Sequence, residues 1–389
     1  MSLPLQLRCT NANVPSGLYK VLGIEEALLQ CFRPANVLVD IRSGPAVELT
    51  SVATFGFAGF VAHRPLVDCR LRHIHSLSIN AAVAQGDAAR ILADGKINVL
   101  YRRGANANTL FVTERCNSLC LMCSQPPREI DDRWRVAELV QLLPLVDREL
   151  EVLGVTGGEP TLLESDLLLL LAAASECLPS TRLHVLTNGR KFADRAFADM
   201  FDDLRGHVVW AIPLYGEISR IHDYVVQSDG AFIETMNGLH NLAERGHRIE
   251  VRTVLHAQTL PRIERLAQYI YRNLPFAEHV TLMGLEPIGL SRSNMPLLEI
   301  DPAQLSVQIA SAISFLHQTG MRVSVYNIPL CTLEPGLRPF ARKSISDWKN
   351  EYAIACGTCA VKKECCGFFR SSSTKWRDGI AAPILQHAA

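Results

Sequence analysis

Hydrophobic and polar positions change rhythm twice along this chain. Over residues 1–108 the apolar positions come in short β-type runs, at 37–41, 52–61 and 97–101, the last preceded by the turn pair Asp94-Gly95. That texture predicts a small β-rich N-terminal domain, with 104–108 (Gly-Ala-Asn-Ala-Asn) as the linker behind it. From about 109, apolar strands alternate with helical periodicity. Strands are expected at 110–113, 149–156, 183–186, 208–214, 250–256 and 279–283. Helices are expected at 136–147, behind the second strand, at 230–245 and at 261–272. This alternation argues for a parallel sheet with right-handed crossovers. Six such units suit a partial (β/α)6 TIM-like barrel over 109–320, open rather than eightfold. From about 321 the pattern breaks. A strand at 322–326 leads into a small cysteine-rich domain, 321–389, whose tail beyond Ser371 lacks apolar periodicity and reads as loosely held. The fold class expected is α/β.

Composition narrows the function classes. The chain has 389 residues, 48% hydrophobic and 20% charged, which is enough for two or three globular domains. Lys plus Arg and Asp plus Glu are equal at 39 each, so there is no overall basic footprint for nucleic acid or anionic membrane. No basic segment leads into an apolar one near the N-terminus, and the most apolar run, 167–174, is too short to span a bilayer. A cytoplasmic protein without membrane association is expected. Twelve cysteines in such a setting point to metal or catalysis rather than disulfides. Cys9, Cys31, Cys69 and Cys177 stand singly and read as ordinary small residues. The other eight fall in two clusters.

The first cluster is Thr113-Glu-Arg-Cys116-Asn-Ser-Leu-Cys120-Leu-Met-Cys123, directly after an expected strand. Three thiolates on one loop can ligate three irons of a [4Fe–4S] unit and leave the fourth open to a chelating ligand. A zinc site, or an electron-transfer cluster completed from elsewhere, is the blander alternative. At the end of the second strand the chain reads Gly157-Gly158-Glu159-Pro160-Thr161. Two glycines permit close backbone approach, and the carboxylate offers an acceptor for a bound ammonium group.

Together these two motifs resemble the signature of the radical S-adenosylmethionine (SAM) superfamily. The resemblance implies an enzyme in which SAM chelates the open iron and is reductively cleaved to methionine and a 5′-deoxyadenosyl radical. It implies Cys116, Cys120 and Cys123 as cluster ligands, and Gly157, Gly158 and Glu159, with Pro160, around the methionine end of SAM. Met122 matches a position near adenine. Thr187-Asn188-Gly189, closing the third strand, resembles the family's polar SAM ligands, Asn188 in particular, although an ordinary turn reads the same way. Arg252 on the fifth strand offers a guanidinium fork for the SAM carboxylate. Where many members carry a serine on the fourth strand, this chain has Pro213. Glu286, in the loop after the sixth strand, is a candidate for the substrate side; His222-Asp223 reads as a structural turn or cap.

The second cluster is Cys331, Cys356-Gly-Thr-Cys359 and Cys365-Cys366. Four thiolates from Cys331, Cys356, Cys359 and Cys365 can close a second [4Fe–4S] cluster, with zinc as the alternative. The arrangement resembles the auxiliary-cluster module called a twitch domain, a reduced relative of the SPASM domain. The stretches Thr113–Pro127, 282–286, 327–331 and Cys365-Cys-Gly-Phe-Phe look like the C-type maturase of the His-Xaa-Ser peptide-modification systems. That resemblance implies a ribosomally made precursor peptide as substrate, cross-linked or oxidised on a side chain. It also implies a second radical SAM maturase as partner and an electron donor such as flavodoxin or ferredoxin. The N-terminal domain is expected to recognise peptide or partner, or to serve as a structural cap. A radical SAM enzyme acting on a nucleotide or other small molecule, and a non-catalytic metal or iron–sulfur partner-binding subunit, are the competing readings.

Overall fold

The apolar runs of the first hundred residues pack as one sheet. The structure, a computed structural model, describes residues 5–29, 31–43, 48–68, 70–76, 83–105 and 107–385. Cys69, part of the expected linker and the last four residues lie outside these. The first sheet has eight strands: β1 (Gln6–Arg8), β2 (Thr10–Ala12), β3 (Gly17–Gly23), β4 (Val37–Asp40), β5 (Gly59–Val61), β6 (His73–His75), β7 (Ala88–Ile91) and β8 (Lys96–Tyr101). Their order is β1-β8-β7-β3-β4-β5-β6-β2. The run from β3 to β6 is parallel and the remaining pairings are antiparallel. Only Cys9 separates β1 from β2, so the two ends of this order are one bent segment and the sheet nearly closes on itself. Its core is built from Val21, Leu38, Val61, Ile74, Ile91 and Ile97, all fully buried. The strand expected at 52–61 is shorter than its apolar content suggests. Residues Leu49–Ala53 form a helical turn, Gly56 at φ +80° ends it, and only Gly59–Val61 pairs.

Two compact units divide the chain. The first comprises Met1–Leu110 with Trp134–Leu153 and Ala172–Thr181; the second comprises Phe111–Arg133, Gly154–Leu171 and Arg182–Ala389. In the first, Lys20 on β3 is completely buried and its Nζ donates to Asp147 Oδ1 at 2.8 Å. Asp147 also accepts from the Tyr101 hydroxyl (2.9 Å) and from Arg103 Nε and Nη2 (2.7 and 2.8 Å). Burial pushes the Asp147 carboxyl up, but the Arg103, Lys20 and Tyr101 donors outweigh it and hold the group at about 2. Removing one member of a buried ion pair strands the other, so Asp147→Ala is expected to cost about 3–5 kcal/mol. The urea midpoint checks this. Because the folded pKa is depressed, the stabilisation is present above the ordinary carboxylate range and is lost as pH falls toward 2.

The second sheet is the barrel. It contains β9 (Asn108–Phe111), β10 (Val152–Thr156), β11 (Arg182–Leu186), β12 (Val208–Pro213), β13 (Arg248–Leu255), β14 (His279–Gly284) and β15 (Val323–Tyr326), in sequential order from β9 to β15. The pairings from β11 to β15 are parallel, as the strand–helix alternation predicts. Intervening helices include Ser165–Cys177, Ala231–Glu244 and Ile263–Asn273. The sheet has one strand more than expected: Val323–Tyr326 pairs with β14 and extends the barrel. Sequential parallel order brings the C-terminal ends of the strands to one rim, where barrel enzymes place their chemistry. The tail is more ordered than its composition suggests. A helix, Thr374–Ile380, is capped by the Ser373 side chain, and Arg377 is buried with bonds to Ser372 O (2.7 Å) and Glu351 (2.8 Å).

Candidate functional site

The cysteine loop leaves β9 and is held chiefly by backbone bonds and by the Asn294 and Asp132 side chains. Leu119 and Leu121 N–H groups donate to Val226 O (3.1 Å) and Val225 O (2.9 Å). Asn294 Nδ2 donates to Leu121 O (2.9 Å), and Leu290 N donates to Cys123 O (2.8 Å). Gly289, at φ +65°, is required there: a Cβ would stand 2.6 Å from Cys123 O. Asp132, fully buried, anchors the start of the loop by accepting from Thr113 Oγ1 (2.9 Å) and Glu114 N (2.6 Å). Met122 is buried with Leu121 against Tyr215, Val225 and Leu298.

The Gly-Gly edge presses on this loop. Gly158 N donates to Thr113 O and Glu159 N to Arg115 O, both at 2.7 Å. A Cβ on Gly157 would fall 2.4 Å from Thr113 O, and one on Gly158 would fall 2.1 Å from Arg115 O. These contacts are with backbone, which has nowhere to go without moving Cys116. Gly158→Ala is therefore expected to lower the iron bound at the first cysteine loop by half or more. Overpacking of this kind also costs about 1–3 kcal/mol. Iron per chain and the melting temperature, read together, check it.

Glu159 is 1% exposed and fully engaged. Its Oε1 accepts from Thr161 N (3.0 Å), Thr161 Oγ1 (2.7 Å) and Thr187 Oγ1 (2.5 Å), and its Oε2 accepts from Asn188 N (2.6 Å). The carboxylate read as an ammonium acceptor thus ties the end of β10 to the end of β11. Pro160 is buried and opens the short turn Pro160–Leu163 that carries Thr161. Asn188 continues outward, its Nδ2 donating to Asn117 Oδ1 in the cysteine loop (2.6 Å). Arg190 adds two more ties, to Asn117 O (2.6 Å) and Ser118 Oγ (3.1 Å). Sequence reasoning does not single out Asn117, Arg190 or Tyr215. Arg190 follows Gly189 directly, but nothing in the sequence says that its side chain turns back.

The three cysteines are half-buried, and the thiols lie close enough to sense one another. Burial, then the charges of Glu159 and Cys123, pushes Cys116 up to about 12; burial, then Cys116 and Cys123, does the same for Cys120. Burial also raises Cys123, whose Sγ donates to Gln125 O at 2.9 Å. Tyr215, beyond Pro213 on β12, is 8% exposed, and burial followed by the Cys120 and Cys123 charges raises its hydroxyl. Among the described residues, no three His, Cys, Asp or Glu side chains converge tightly enough to hold a single metal ion. A cubane asks for something else, since each thiolate meets a different iron. Three neighbouring thiols on a pinned loop, beside a glycine edge that excludes side chains, fit that demand.

Of the second set, Cys331 and Cys356 are raised by burial, each also feeling Cys365. Cys365 runs the other way. The Cys366 thiol, then the amides of Leu330 and Gly367 (both 3.4 Å to Sγ), overcome burial and hold it at about 6. Cys366 is 2% exposed and packs with Ile345 and Phe369. Cys359 follows in the turn, its N–H on Cys356 O. Glu286 is ion-paired with Lys349 at 2.9 Å. His222 Nδ1 accepts from Tyr215 N (3.3 Å), and Asp223 accepts from Gly230 N and Phe232 N (2.9 and 2.7 Å), both structural positions. Arg252, on β13, rests its guanidinium on Met283 Sδ at 3.1 and 3.3 Å.

A partial α/β barrel with a three-cysteine loop at its rim is the architecture of the radical SAM enzymes. Residues 110–270 match the model of the Radical SAM superfamily. The family implies a [4Fe–4S] cluster and SAM as its cofactors. A search of curated proteins found no match. Among solved structures, SuiB from Streptococcus suis with bound SAM is similar at 15% identity and a TM-score of 0.45, over 56% of this chain and 49% of SuiB. The enzyme anSMEcpe with bound SAM is 16% identical at a TM-score of 0.44, covering 56% of this chain and 60% of that one. A radical SAM methyltransferase from Sphaerobacter thermophilus is 18% identical at a TM-score of 0.42, over 61% and 72%. The chain thus spans about half the length of SuiB. No described helix is long and apolar enough to cross a membrane.

Proposed function

We propose that this chain is a radical SAM enzyme that matures a ribosomally made peptide of the His-Xaa-Ser type, by cross-linking or oxidising a side chain. The observation that carries the class is the three-cysteine loop closed against the Gly157-Gly158 edge and tied through Asn117 to Asn188. In this reading Cys116, Cys120 and Cys123 hold the SAM-binding [4Fe–4S] cluster, and Cys331, Cys356, Cys359 and Cys365 hold an auxiliary one. When bound, the first cluster would supply the one-electron reduction of SAM. The chain's own residues orient and enclose. Gly157 and Gly158 keep the strand end free of side chains, Glu159 fixes Asn188, and Met122 and Tyr215 wall the loop on its apolar side.

The peptide reading rests on the His-Xaa-Ser resemblance, and a pocket supports it. At the ends of β13 to β15 lies a cavity of about 310 Å³, lined among others by Leu255, Leu285, Met295, Ile328, Phe368 and Trp376. Its size and apolar walls suit one peptide side chain. A second radical SAM maturase and a flavodoxin or ferredoxin complete the proposed system. The test is anaerobic incubation of reconstituted wild-type protein with SAM, reductant and a His-Xaa-Ser precursor peptide. The expected result is 5′-deoxyadenosine together with a peptide mass change of hydrogen loss. Deoxyadenosine formation with no effect of any peptide would move the substrate to a small molecule. Failure to bind SAM at all would leave a non-catalytic subunit.

A further inference from the structure

Beneath the cysteine loop, one face of the barrel sheet is polar. Glu250, Arg252 and Val254 alternate along β13, and Val254 packs against the core that includes Leu121, Met122 and Cys120, so all three face the same way as the site. Register places Glu250 opposite His279 and Arg252 opposite Thr281 on β14. Glu250 is 5% exposed, His279 9% and Thr281 0%. His279 Nδ1 lies 2.9 Å from Glu250 Oε2, and His184, reaching across from β11, places Nε2 at 3.5 Å from Oε1. Arg252 Nη1 is also 3.5 Å from that Oε1. At 3.5 Å these are ion-pair rather than hydrogen-bond distances, and Oε1 has no hydrogen-bond partner among the described residues.

A buried carboxylate so placed is expensive unless it compensates a charge that function requires. Burial pushes the Glu250 carboxyl up, yet His184, His279 and the Arg252 charge hold it below the usual carboxylate range. The charge it faces is Arg252. Glu250 engages only Nη1 of that guanidinium; the Nε and Nη2 edge rests on the Met283 thioether, at 3.3 and 3.1 Å. A thioether is a weak acceptor, and the Nε/Nη2 edge is one that grips a carboxylate in bidentate fashion. The fork is therefore aimed and held, with its strong-acceptor position filled only by sulfur.

We propose that Glu250, braced by His184 and His279, is a positioning residue that presents the Arg252 fork to the carboxylate of SAM. This rests on the SAM-binding reading above. The anion does not touch SAM; it sets the angle of the group that does.

The test is a double-mutant cycle on the dissociation constant of SAM, measured by equilibrium dialysis with reconstituted, unreduced protein, so that no turnover enters. Loss of a charge-assisted bidentate contact is expected to weaken SAM binding about 10- to 100-fold in Arg252→Ala. The isosteric Glu250→Gln is expected to weaken it about tenfold through Arg252. The combined variant should bind no more weakly than Arg252→Ala alone, because positioning acts only through that side chain. Unchanged affinity in Glu250→Gln, or effects that multiply in the combined variant, overturns the proposal. So does unchanged affinity in Arg252→Ala while wild type binds SAM, whereas a wild type that does not bind SAM overturns the class reading instead. Should Glu250→Gln fail to fold, His184→Asn replaces it. It is expected to weaken binding severalfold in wild type and not at all in the Arg252→Ala background, and any further loss there overturns the proposal equally.

Discussion

With Cys116, Cys120 and Cys123 all replaced by alanine, anaerobically reconstituted protein is expected to hold about four irons per chain instead of about eight, and to release no 5′-deoxyadenosine from SAM. The expectation follows from how the loop is anchored. Its conformation comes from Leu119, Leu121 and Cys123 backbone bonds, from Asn294 and from the Asp132 anchor, none of which uses a thiol. Apart from the Cys123 Sγ bond to Gln125 O, the variant therefore keeps the loop's anchors and is expected to lose only the proposed ligands. Thiols held so far above their ordinary range, with Cys116 and Cys120 both near 12, also contribute nothing as free thiolates at neutral pH. In the proposed reading a metal takes the proton's place. The reciprocal variant, with Cys331, Cys356, Cys359 and Cys365 replaced, is expected to retain about four irons as well. Eight irons persisting in the first variant, or deoxyadenosine still formed by it, would remove the cysteine loop from the chemistry. About four irons in wild type with cleavage intact would make the second site a zinc site.

What was legible in the sequence was what periodicity and punctuation encode. The barrel strands from β10 to β14 pair within a few residues of the ranges expected for them, because buried parallel strands are continuous apolar runs closed by glycine or asparagine. The cysteine and Gly-Gly-Glu motifs were legible because their spacing is chemical. Val323–Tyr326 reads as separate from the barrel, since the cysteines that follow it dominate the local composition, while its pairing with β14 depends on a partner strand far upstream. The helix at Leu49–Ala53 is a single turn, too short to show a period. The terminal helix is held by Arg377, through the Ser372 carbonyl and the Glu351 carboxylate, which apolar pattern cannot report. Side-chain networks were least visible of all. Glu159 reads as a free acceptor in the motif, and only the fold brings Thr187 and Asn188 to it.

That difference in Glu159 leads to a measurable result. Glu159→Ala is expected to destabilise the second unit on the order of 3–5 kcal/mol and to abolish SAM cleavage. Four donors lose one acceptor: Thr161 N, Thr161 Oγ1, Thr187 Oγ1 and Asn188 N. In a site that excludes water, each unmatched donor bears its own desolvation cost. Glu159→Gln keeps an oxygen for the two threonines but turns an amide N–H₂ toward the Asn188 N–H, so it should lose less stability than alanine and still release Asn188 from the cysteine loop. Thr187→Val removes one bond only and is expected to cost about 1–2 kcal/mol with partial cleavage retained. Measured together by urea unfolding and deoxyadenosine yield, stability and cleavage should fall in the same order, Thr187→Val, Glu159→Gln, Glu159→Ala. If Glu159 instead grips SAM directly, Glu159→Gln would lose SAM binding at nearly wild-type stability. A carboxylate that works by holding its neighbours cannot be separated from stability in that way.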